Sequence, residues 1–225
     1  MSDALTDIIS TWRQRADEWE ALPDDEKKRR SEAIRLEEEQ RRLEEWADQV
    51  ERKTRRLLET IPRRYREARV THPQVKAWLE NYPTDRTRDG LYFVGGTGTG
   101  KTWEMFGLFR AVVEEGRTSC RFASMPTMLD ELRPREAADS WAILDGYIGA
   151  SLLFLDDLGA HKPSEWAEEK LYQVIDQRWQ WERPTIVATN VPKNLGSIVG
   201  ERVASRLAGT CELVKLVGSD RRRSA

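Results

Sequence analysis

The chain has 225 residues, enough for one domain of ordinary size with an appendage. Its 37 Lys and Arg residues nearly balance its 39 Asp and Glu residues, so net charge alone indicates neither a nucleic-acid nor a membrane partner. Two cysteines and two distant histidines are too few for a zinc site, and no apolar run approaches the roughly 18 residues of a membrane-spanning helix. Free thiols and the absence of a signal-peptide pattern predict a cytoplasmic protein without membrane contact.

The region before residue 85 is rich in Glu, Arg, Lys and Trp and contains no glycine, a composition that favours helix. Apolar spacing predicts one amphipathic helix over residues 3–21, and Pro23 interrupts it. A second helix is predicted from Asp24 to about Thr60, because acidic residues favour a helix start and Ile61-Pro62 disfavours continuation.

Four apolar residues recur every seven positions along this second helix: Leu36, Leu43, Val50 and Leu57. Such a stripe belongs either to a solvated helix folded against the domain or to a helix that binds a partner or a second copy. We favour the second interpretation, because a heptad seam is stabilised by another helix that covers it. Residues 1–60 are therefore predicted to be a partner-binding region, residues 61–89 a linker, and residues 90–225 a separate domain.

From Gly90 onward, short apolar runs alternate with helical patterns. The runs predict five strands, at Leu91–Val94, Ser119–Ala123, Leu152–Leu155, Thr185–Ala188 and Leu213–Val217. Crossover helices are expected between them, notably over Thr102–Glu115 and Ser164–Trp181. Continuous apolar runs are typical of strands buried on both faces. The alternation thus predicts an α/β domain whose parallel sheet is covered by helices on both sides.

The eight residues after the first predicted strand match the phosphate-binding motif GxxxxGK(S/T) in full: Gly95, Gly96, Thr97, Gly98, Thr99, Gly100, Lys101 and Thr102. Glycines let successive backbone N–H groups turn inward around phosphates, and the following helix adds positive potential at its N-terminus. Lys101 is predicted to reach the β- and γ-phosphates of ATP, and the Thr102 hydroxyl to ligate Mg²⁺. The alternative is a glycine-rich turn, which the flanking strand and helix disfavour.

Two carboxylates, Asp156 and Asp157, end the third predicted strand. This is the usual form of a Walker B site, in which Asp156 would hold Mg²⁺ directly or through water. Asp157 would orient or deprotonate the attacking water. The alternative is that the two acids cap the next helix.

Several stretches besides the P-loop resemble the AAA+ ATPases of the DnaC/DnaI family, bacterial and phage helicase loaders with IstB-like relatives. The matching stretches are Ile61-Pro62-Arg63-Arg64-Tyr65, Leu155-Asp156-Asp157-Leu158-Gly159, residues 164–166 and residues 174–179. The resemblance covers about two-thirds of the chain, from Ile61 to Arg222. It implies a P-loop AAA+ domain of three layers with a five-stranded parallel sheet, no large C-terminal lid, and an extended helical region before it.

The resemblance also assigns roles to individual residues. Asn190, after the fourth predicted strand, would face the γ-phosphate as sensor 1, although an Asn before Val191-Pro192 also suits a turn. Arg206 would be the arginine finger that reaches a neighbouring subunit's nucleotide, with Arg202 as its rival and a surface arginine as the alternative. Arg222 would be sensor 2. An Asp at position 157, where the family usually has Glu, implies slow hydrolysis.

The family binds single-stranded DNA along the inside of an open ring or spiral of subunits. By that resemblance Arg133, Arg135 and Lys162 are candidate DNA contacts, although each alone is also compatible with an ordinary surface charge. Positive side chains along a backbone-tracking face would give salt-dependent binding with little sequence preference.

The function implied is that of a slow ATPase, stimulated by assembly or by DNA. Through residues 1–60 it would bind a replicative hexameric helicase of the DnaB type and deliver it to single-stranded DNA. The alternative is an IstB-like transposition ATPase that assembles on duplex DNA and recruits a transposase; a third is a remodeller of another protein partner. The glycine-free helical region favours the loader. Its expected location is the cytoplasm of a bacterium, encoded by the host or by a phage.

Overall fold

The computed structural model describes residues 13–14, 16–85, 89–134, 140–191 and 195–218. Contacts divide the chain into two compact units, Met1–Arg52 and Lys53–Ala225. None of the helices in the described ranges has the length and apolar character needed to cross a membrane.

Helix α1, Asp24–Glu59, confirms the predicted second helix almost to the residue. Three acidic residues occupy its first turn, where the free backbone N–H groups favour negative charge. None of its residues is buried, and residues 28–49 are all exposed. Of the helix predicted over residues 3–21, residues 13–14 and 16–20 are helical, Ala21 lies in a turn, and the rest lies outside the described residues.

The second unit is built on a five-stranded parallel sheet. Its strands are β1 Gly90–Val94, β2 Cys120–Ser124, β3 Leu152–Asp156, β4 Thr185–Thr189 and β5 Cys211–Lys215, in the order β2-β3-β4-β1-β5. The five predicted strands are confirmed, with small differences at their ends. The largest is in β5, which begins two residues before the predicted Leu213 because Cys211 pairs with Gly90. This edge strand is mostly exposed, so its first residues are not part of the apolar run that predicted it.

Helices cover both faces of this sheet. They are α2 Pro73–Asp85, α3 Lys101–Glu114, α4 Met125–Glu131, α5 Ser140–Gly149, α6 Glu165–Gln180, α7 Leu195–Val199 and α8 Glu201–Thr210, and a 3₁₀ turn spans Arg63–Tyr65. Successive strand residues alternate between two cores: Phe154 packs with α2 and α3, whereas Leu153 and Leu155 pack with the other helices. The predicted three-layer α/β fold is therefore confirmed.

Residues 61–72, expected to lead into the domain as a linker, pack along α3. The Tyr65 ring stacks on Phe106 with centroids 4.7 Å apart. The buried carboxylate of Glu104 accepts hydrogen bonds from the backbone N–H of Thr71 and of His72 at 3.0 to 3.2 Å. Because polar groups are buried only when hydrogen-bonded, these contacts hold the stretch firmly against α3.

Arg178, within the matching stretch 174–179, is a structural residue. It is 1% exposed, and its guanidinium donates to the carbonyls of Tyr147, Ile148, Ala150 and Pro184 at 2.6 to 3.1 Å. Burial lowers the pKa of this guanidinium to about 9. Arg178 thus satisfies the carbonyls at the C-terminal end of α5 and before β4.

Candidate functional site

A cavity of about 460 Å³ opens at the carboxyl ends of the strands. It is lined by Arg64, Tyr65, Thr97, Gly98, Gly100, Lys101, Thr102, Trp103, Asp157 and Asn190. Because β4 lies between β1 and β3, the loops that follow these three strands meet at one edge. Ligands of parallel α/β sheets bind at this edge.

The loop between β1 and α3 has a backbone that requires glycine. Gly98 and Gly100 have φ angles of 81° and 99°, in the left-handed region that other residues rarely adopt. At Gly95, a Cβ atom would lie 2.4 Å from the carbonyl oxygen of Leu216. Helix α3 then begins at Lys101, so its free N–H groups and its positive dipole end face the loop. The loop is a cradle for an anion such as phosphate.

Lys101 is the cation of this cradle. It is 6% exposed, and its Nζ donates to the carbonyl oxygens of Gly95 and Gly96, each at 2.8 Å. A phosphate oxygen is a stronger acceptor for an ammonium group than a neutral carbonyl is. A phosphorylated ligand in the loop would therefore attract Lys101 away from these carbonyls.

Thr102 and Asp156 meet where a metal ion would sit. The Thr102 hydroxyl donates to Asp156 Oδ2 at 2.8 Å, and the backbone N–H of Asp157 donates to Asp156 Oδ1 at 2.8 Å. Burial raises the pKa of the Asp156 carboxyl, and the hydrogen bond from Thr102 opposes that rise. Hydroxyl and carboxylate oxygens are ligands that Mg²⁺ prefers.

These two residues fit Mg²⁺ only in company with a ligand. Across the described ranges, no cluster of three or more His, Cys, Asp or Glu residues could hold a metal ion by itself. Mg²⁺ favours six oxygen ligands and commonly takes them from one or two protein residues, substrate phosphates and water. The donor set at Thr102 and Asp156 is of this type.

Asp157 and Asn190 line the same cavity from neighbouring strand ends. Asp157 has a φ angle of 53°, a left-handed conformation that Asp tolerates better than most residues. The loop after β3 is fixed to β4, since Leu158 donates to the carbonyl of Ala188 at 2.8 Å and accepts from the Thr189 hydroxyl at 2.7 Å. Both polar side chains are thus brought together with the phosphate loop.

Arg206 lies elsewhere, against helix α6. Its Nε and one terminal nitrogen each lie 3.1 Å from Asp176 Oδ1, and its guanidinium lies 3.5 Å from the centre of the Trp179 ring. Arg202, one turn earlier, lies 5.8 Å from the ring of Tyr172. Neither arginine lines the cavity of its own chain. Arg222, the predicted sensor 2, lies outside the described residues.

Two of the three candidate DNA contacts can be located. Arg133 is exposed, and its guanidinium lies 6.0 Å from the ring of Trp166, at the start of α6. Lys162 is exposed in the loop that leads into the same helix. The two cations therefore lie on neighbouring segments outside the cavity. Arg135 falls outside the described residues.

Sequence reasoning gave no role to Arg64, Tyr65 or Trp103, although all three line the cavity. Trp103 could have been found, because it follows Thr102 directly in the first turn of α3. Arg64 and Tyr65 lie in a stretch that resembles the family, but that resemblance gave them no role, because their place in the site depends on how residues 61–72 pack on α3. These side chains give the cavity lining a partly aromatic character, which suits a nucleobase.

The chain matches the family of IstB-like ATP-binding proteins over residues 13–223. A protein of the insertion sequence IS1162 from Pseudomonas fluorescens, named for ATP binding, is 30% identical over 141 residues. The aligned region comprises 62% of this chain and 59% of that protein, so the chain spans less than two-thirds of the relative's length.

Solved structures with the same fold include proteins of replication initiation. The DnaC helicase loader has a TM-score of 0.61 at 24% identity, covering 69% of this chain and 100% of the loader. DnaI has a TM-score of 0.61 at 19% identity, covering 72% and 95%. DnaA from Aquifex aeolicus, bound to an ATP analogue, has a TM-score of 0.56 at 22% identity, covering 67% and 46%. At these identities the likeness establishes the AAA+ fold and no more.

Proposed function

The chain belongs to the family of IstB-like ATP-binding proteins, and from that premise we propose that it is a Mg²⁺-dependent ATPase that controls a partner protein on DNA. The observation that carries the proposal is the meeting of Lys101, Thr102, Asp157 and Asn190 in one cavity, beside Asp156. A phosphate cradle, a metal-ligand pair and two polar groups facing the same space are the parts that phosphoryl transfer to water requires.

Binding would use the loop and the first turn of α3. Backbone N–H groups of residues 95–102 and the Lys101 ammonium hold the phosphates, while Thr102 and Asp156 hold Mg²⁺. When bound, the metal ion neutralises charge on the phosphate oxygens. Tyr65, Arg64 and Trp103, which also line the cavity, would contact the base.

Hydrolysis would depend on Asp157 and Asn190. Asn190 holds the water in line with the γ-phosphorus, and Asp157 accepts its proton as the bond to the β–γ bridging oxygen breaks. An Asp carboxylate reaches one methylene less far than Glu, so we expect slow turnover. Arg206 of a neighbouring subunit in a ring or spiral would accelerate it, provided that the contact with Asp176 and Trp179 opens on assembly.

We favour a helicase loader as the specific function. Helix α1 is an exposed arm with an apolar stripe, which suits a region that grips a hexameric helicase of the DnaB type. Arg133 and Lys162 are exposed cations suited to the phosphates of single-stranded DNA.

A transposition ATPase is the second candidate, favoured by the insertion-sequence relative at 30% identity. In that role the chain would assemble on duplex DNA and recruit a transposase. Both candidates share the ATP site, and they differ in the DNA and the protein that are bound.

One experiment separates them. The full chain with Mg²⁺-ATP would be tested for binding to the replicative helicase of its host, and for assembly on single-stranded and duplex DNA of equal length. A loader binds the helicase and prefers the single strand. Assembly on duplex DNA without helicase binding supports the transposition ATPase, and failure to bind Mg²⁺-ATP at all contradicts both.

A further inference from the structure

Helix α1 carries a defined apolar stripe on an exposed surface. Leu36, Leu43 and Val50 repeat every seven residues, and the positions three residues before them hold Ala33, Gln40 and Ala47. We call these six residues the stripe. Leu36 and Leu43 are 59% and 60% exposed, so the described part of the chain leaves them uncovered. Alternating spacings of three and four residues form the seam along which two helices pack.

The positions that border the stripe are strongly acidic. On one side lie Glu37, Glu44 and Glu51, and on the other Glu32, Glu39 and the 63%-exposed Trp46. Beside the stripe itself, basic residues fall on the outer face instead, at Lys28, Arg35, Arg41 and Arg42. There Arg41 lies 3.9 Å from Glu45, and Arg42 donates to the carbonyl of Glu38. Basic residues enter the line of the borders only beyond its two ends, at Lys53 and at Arg30, which is paired with Glu26 at 2.8 Å. The seam is therefore apolar in the middle and negative along both borders.

This charge pattern disfavours a second copy of the chain as the covering helix. A parallel pair would place Glu32 against Glu37 and Glu39 against Glu44 of the other copy. An antiparallel pair would place each acidic border against the same acidic border of the other copy. Like charges at such positions destabilise helix pairs, and several act together here.

The chain's own first residues are disfavoured for the same reason. Residues 1–22 contain five acidic side chains and two basic ones: Asp3, Asp7, Asp17, Glu18, Glu20, Arg13 and Arg15. A segment with this excess of negative charge would meet the acidic borders of the stripe with repulsion.

We infer that the stripe binds an amphipathic helix of a different protein, with large apolar side chains in its seam and Lys or Arg along both borders. Small residues at positions 33 and 47 leave room for bulky side chains of the partner to enter. Opposite charges at the borders add to affinity and select the partner. The inference deepens the proposed function, because it specifies the chemistry of the protein that the N-terminal region binds.

The test uses the full chain and two synthetic helical peptides of four heptads. Both carry Leu in the seam, and they differ only in having Lys or Glu at the border positions. Binding is followed by calorimetry and by the tryptophan fluorescence change expected as Trp46 is covered. We expect the Lys peptide to bind at least about 10-fold more tightly than the Glu peptide, with the difference shrinking as salt rises.

Charge reversal supplies the matched control. Glu37→Lys combined with Glu44→Lys leaves three of the five border glutamates and should remove most of the preference for the Lys peptide, whereas Arg35→Glu combined with Arg42→Glu, on the outer face, should leave the preference within about twofold. Circular dichroism verifies that each variant keeps its helix. Mg²⁺-ATP binding is measured in the same samples. Loss of ATP binding would count against the proposed function, whereas loss of peptide selectivity alone would count against this inference.

Three results would overturn the inference. Equal affinity for the two peptides would show that the acidic borders do not select the partner. A dimer of the unliganded chain that Leu43→Asp dissociates would make a second copy the occupant. Peptide affinity about 10-fold higher in an Ile8→Asp, Ile9→Asp chain would make the chain's own first residues the occupant.

Discussion

At the scale of single residues, Asp156 connects the chemistry of the site to its stability. Burial raises the pKa of its carboxyl, so the folded chain holds this proton more tightly than the unfolded chain does. Between the unfolded pKa and the raised folded pKa, stability therefore falls as pH rises. We therefore expect the ionised carboxyl of Asp156 to cost the ligand-free protein some stability at neutral pH.

We accordingly expect Asp156→Asn to raise the melting temperature of the ligand-free chain at pH 7, and to abolish the further rise that Mg²⁺ adds in the presence of ATP. Differential scanning calorimetry at pH 7 and at pH 4 tests this, because the advantage of the variant should shrink at the lower pH. A variant less stable than the parent at pH 7 would show that Asp156 stabilises the ligand-free fold.

Tyr65 tests the proposal that the aromatic part of the cavity holds the nucleobase. Its ring stacks on Phe106, so it would offer a preorganised surface to a base. Tyr65→Leu should weaken binding of Mg²⁺-ATP by about 10-fold, the size of one base–aromatic contact, and leave Mg²⁺-tripolyphosphate binding unchanged. Tyr65→Phe serves as the control and should retain ATP affinity. Equal loss for both ligands would mean that the substitution disturbs the phosphate loop instead.

At the scale of elements, the parallel strands could be predicted and the packing of residues 61–72 could not. Strands such as Leu152–Asp156 are buried on both faces and are therefore continuous apolar runs in the sequence. The glycine motif and the carboxylates at the end of β3 could likewise be located from the sequence, because each directly follows an apolar strand. Tyr65 belongs to a stretch that resembles the family, but its sequence did not reveal its place in the cavity, which comes from contacts with residues about forty positions later along the chain. The ion pair of Arg206 could not be predicted either, because its partner Asp176 lies far from it in the sequence.

The packing of residues 61–72 on α3 can be measured at Gly107. A Cβ atom there would lie 2.5 Å from the carbonyl carbon of Arg69. Gly107→Ala should therefore destabilise the chain by about 2 kcal/mol through overpacking, despite the better helix propensity of Ala. Gly209→Ala is a matched control in α8, where a Cβ atom would have no neighbour within 4 Å, and it should be neutral or slightly stabilising. The free energy of unfolding of both variants is measured in urea. Equal values would contradict the close approach of Gly107 to the backbone of Arg69.

The contact between α8 and α6 involves Arg206, the proposed arginine finger. Arg206→Ala should leave ATP affinity of the monomer within about twofold and remove any hydrolysis that depends on assembly. Arg202→Ala, one helical turn away, is the comparison. ATPase rates measured across a range of protein concentrations test this. A matching loss of nucleotide affinity in Arg206→Ala would place the residue's action within its own chain.

At the scale of the whole molecule, the chain combines an ATP site with an exposed helical arm. The site lies entirely in the second unit, and the stripe with acidic borders lies in the first. Because the two sets of residues do not overlap, substitutions can change nucleotide binding and partner binding independently. Variants in the stripe should therefore change partner affinity without changing nucleotide affinity.

Calorimetric titration of the full chain with ATP, with and without Mg²⁺, tests the central claim most directly. We predict one site per chain, tighter with Mg²⁺, and at least about 100-fold weaker in Lys101→Ala, because two charge-assisted contacts to phosphate are lost. Lys162→Ala, which removes an exposed cation outside the cavity, should bind ATP like the parent chain. Undiminished binding of Mg²⁺-ATP by Lys101→Ala, or no binding by the parent chain, would contradict the account.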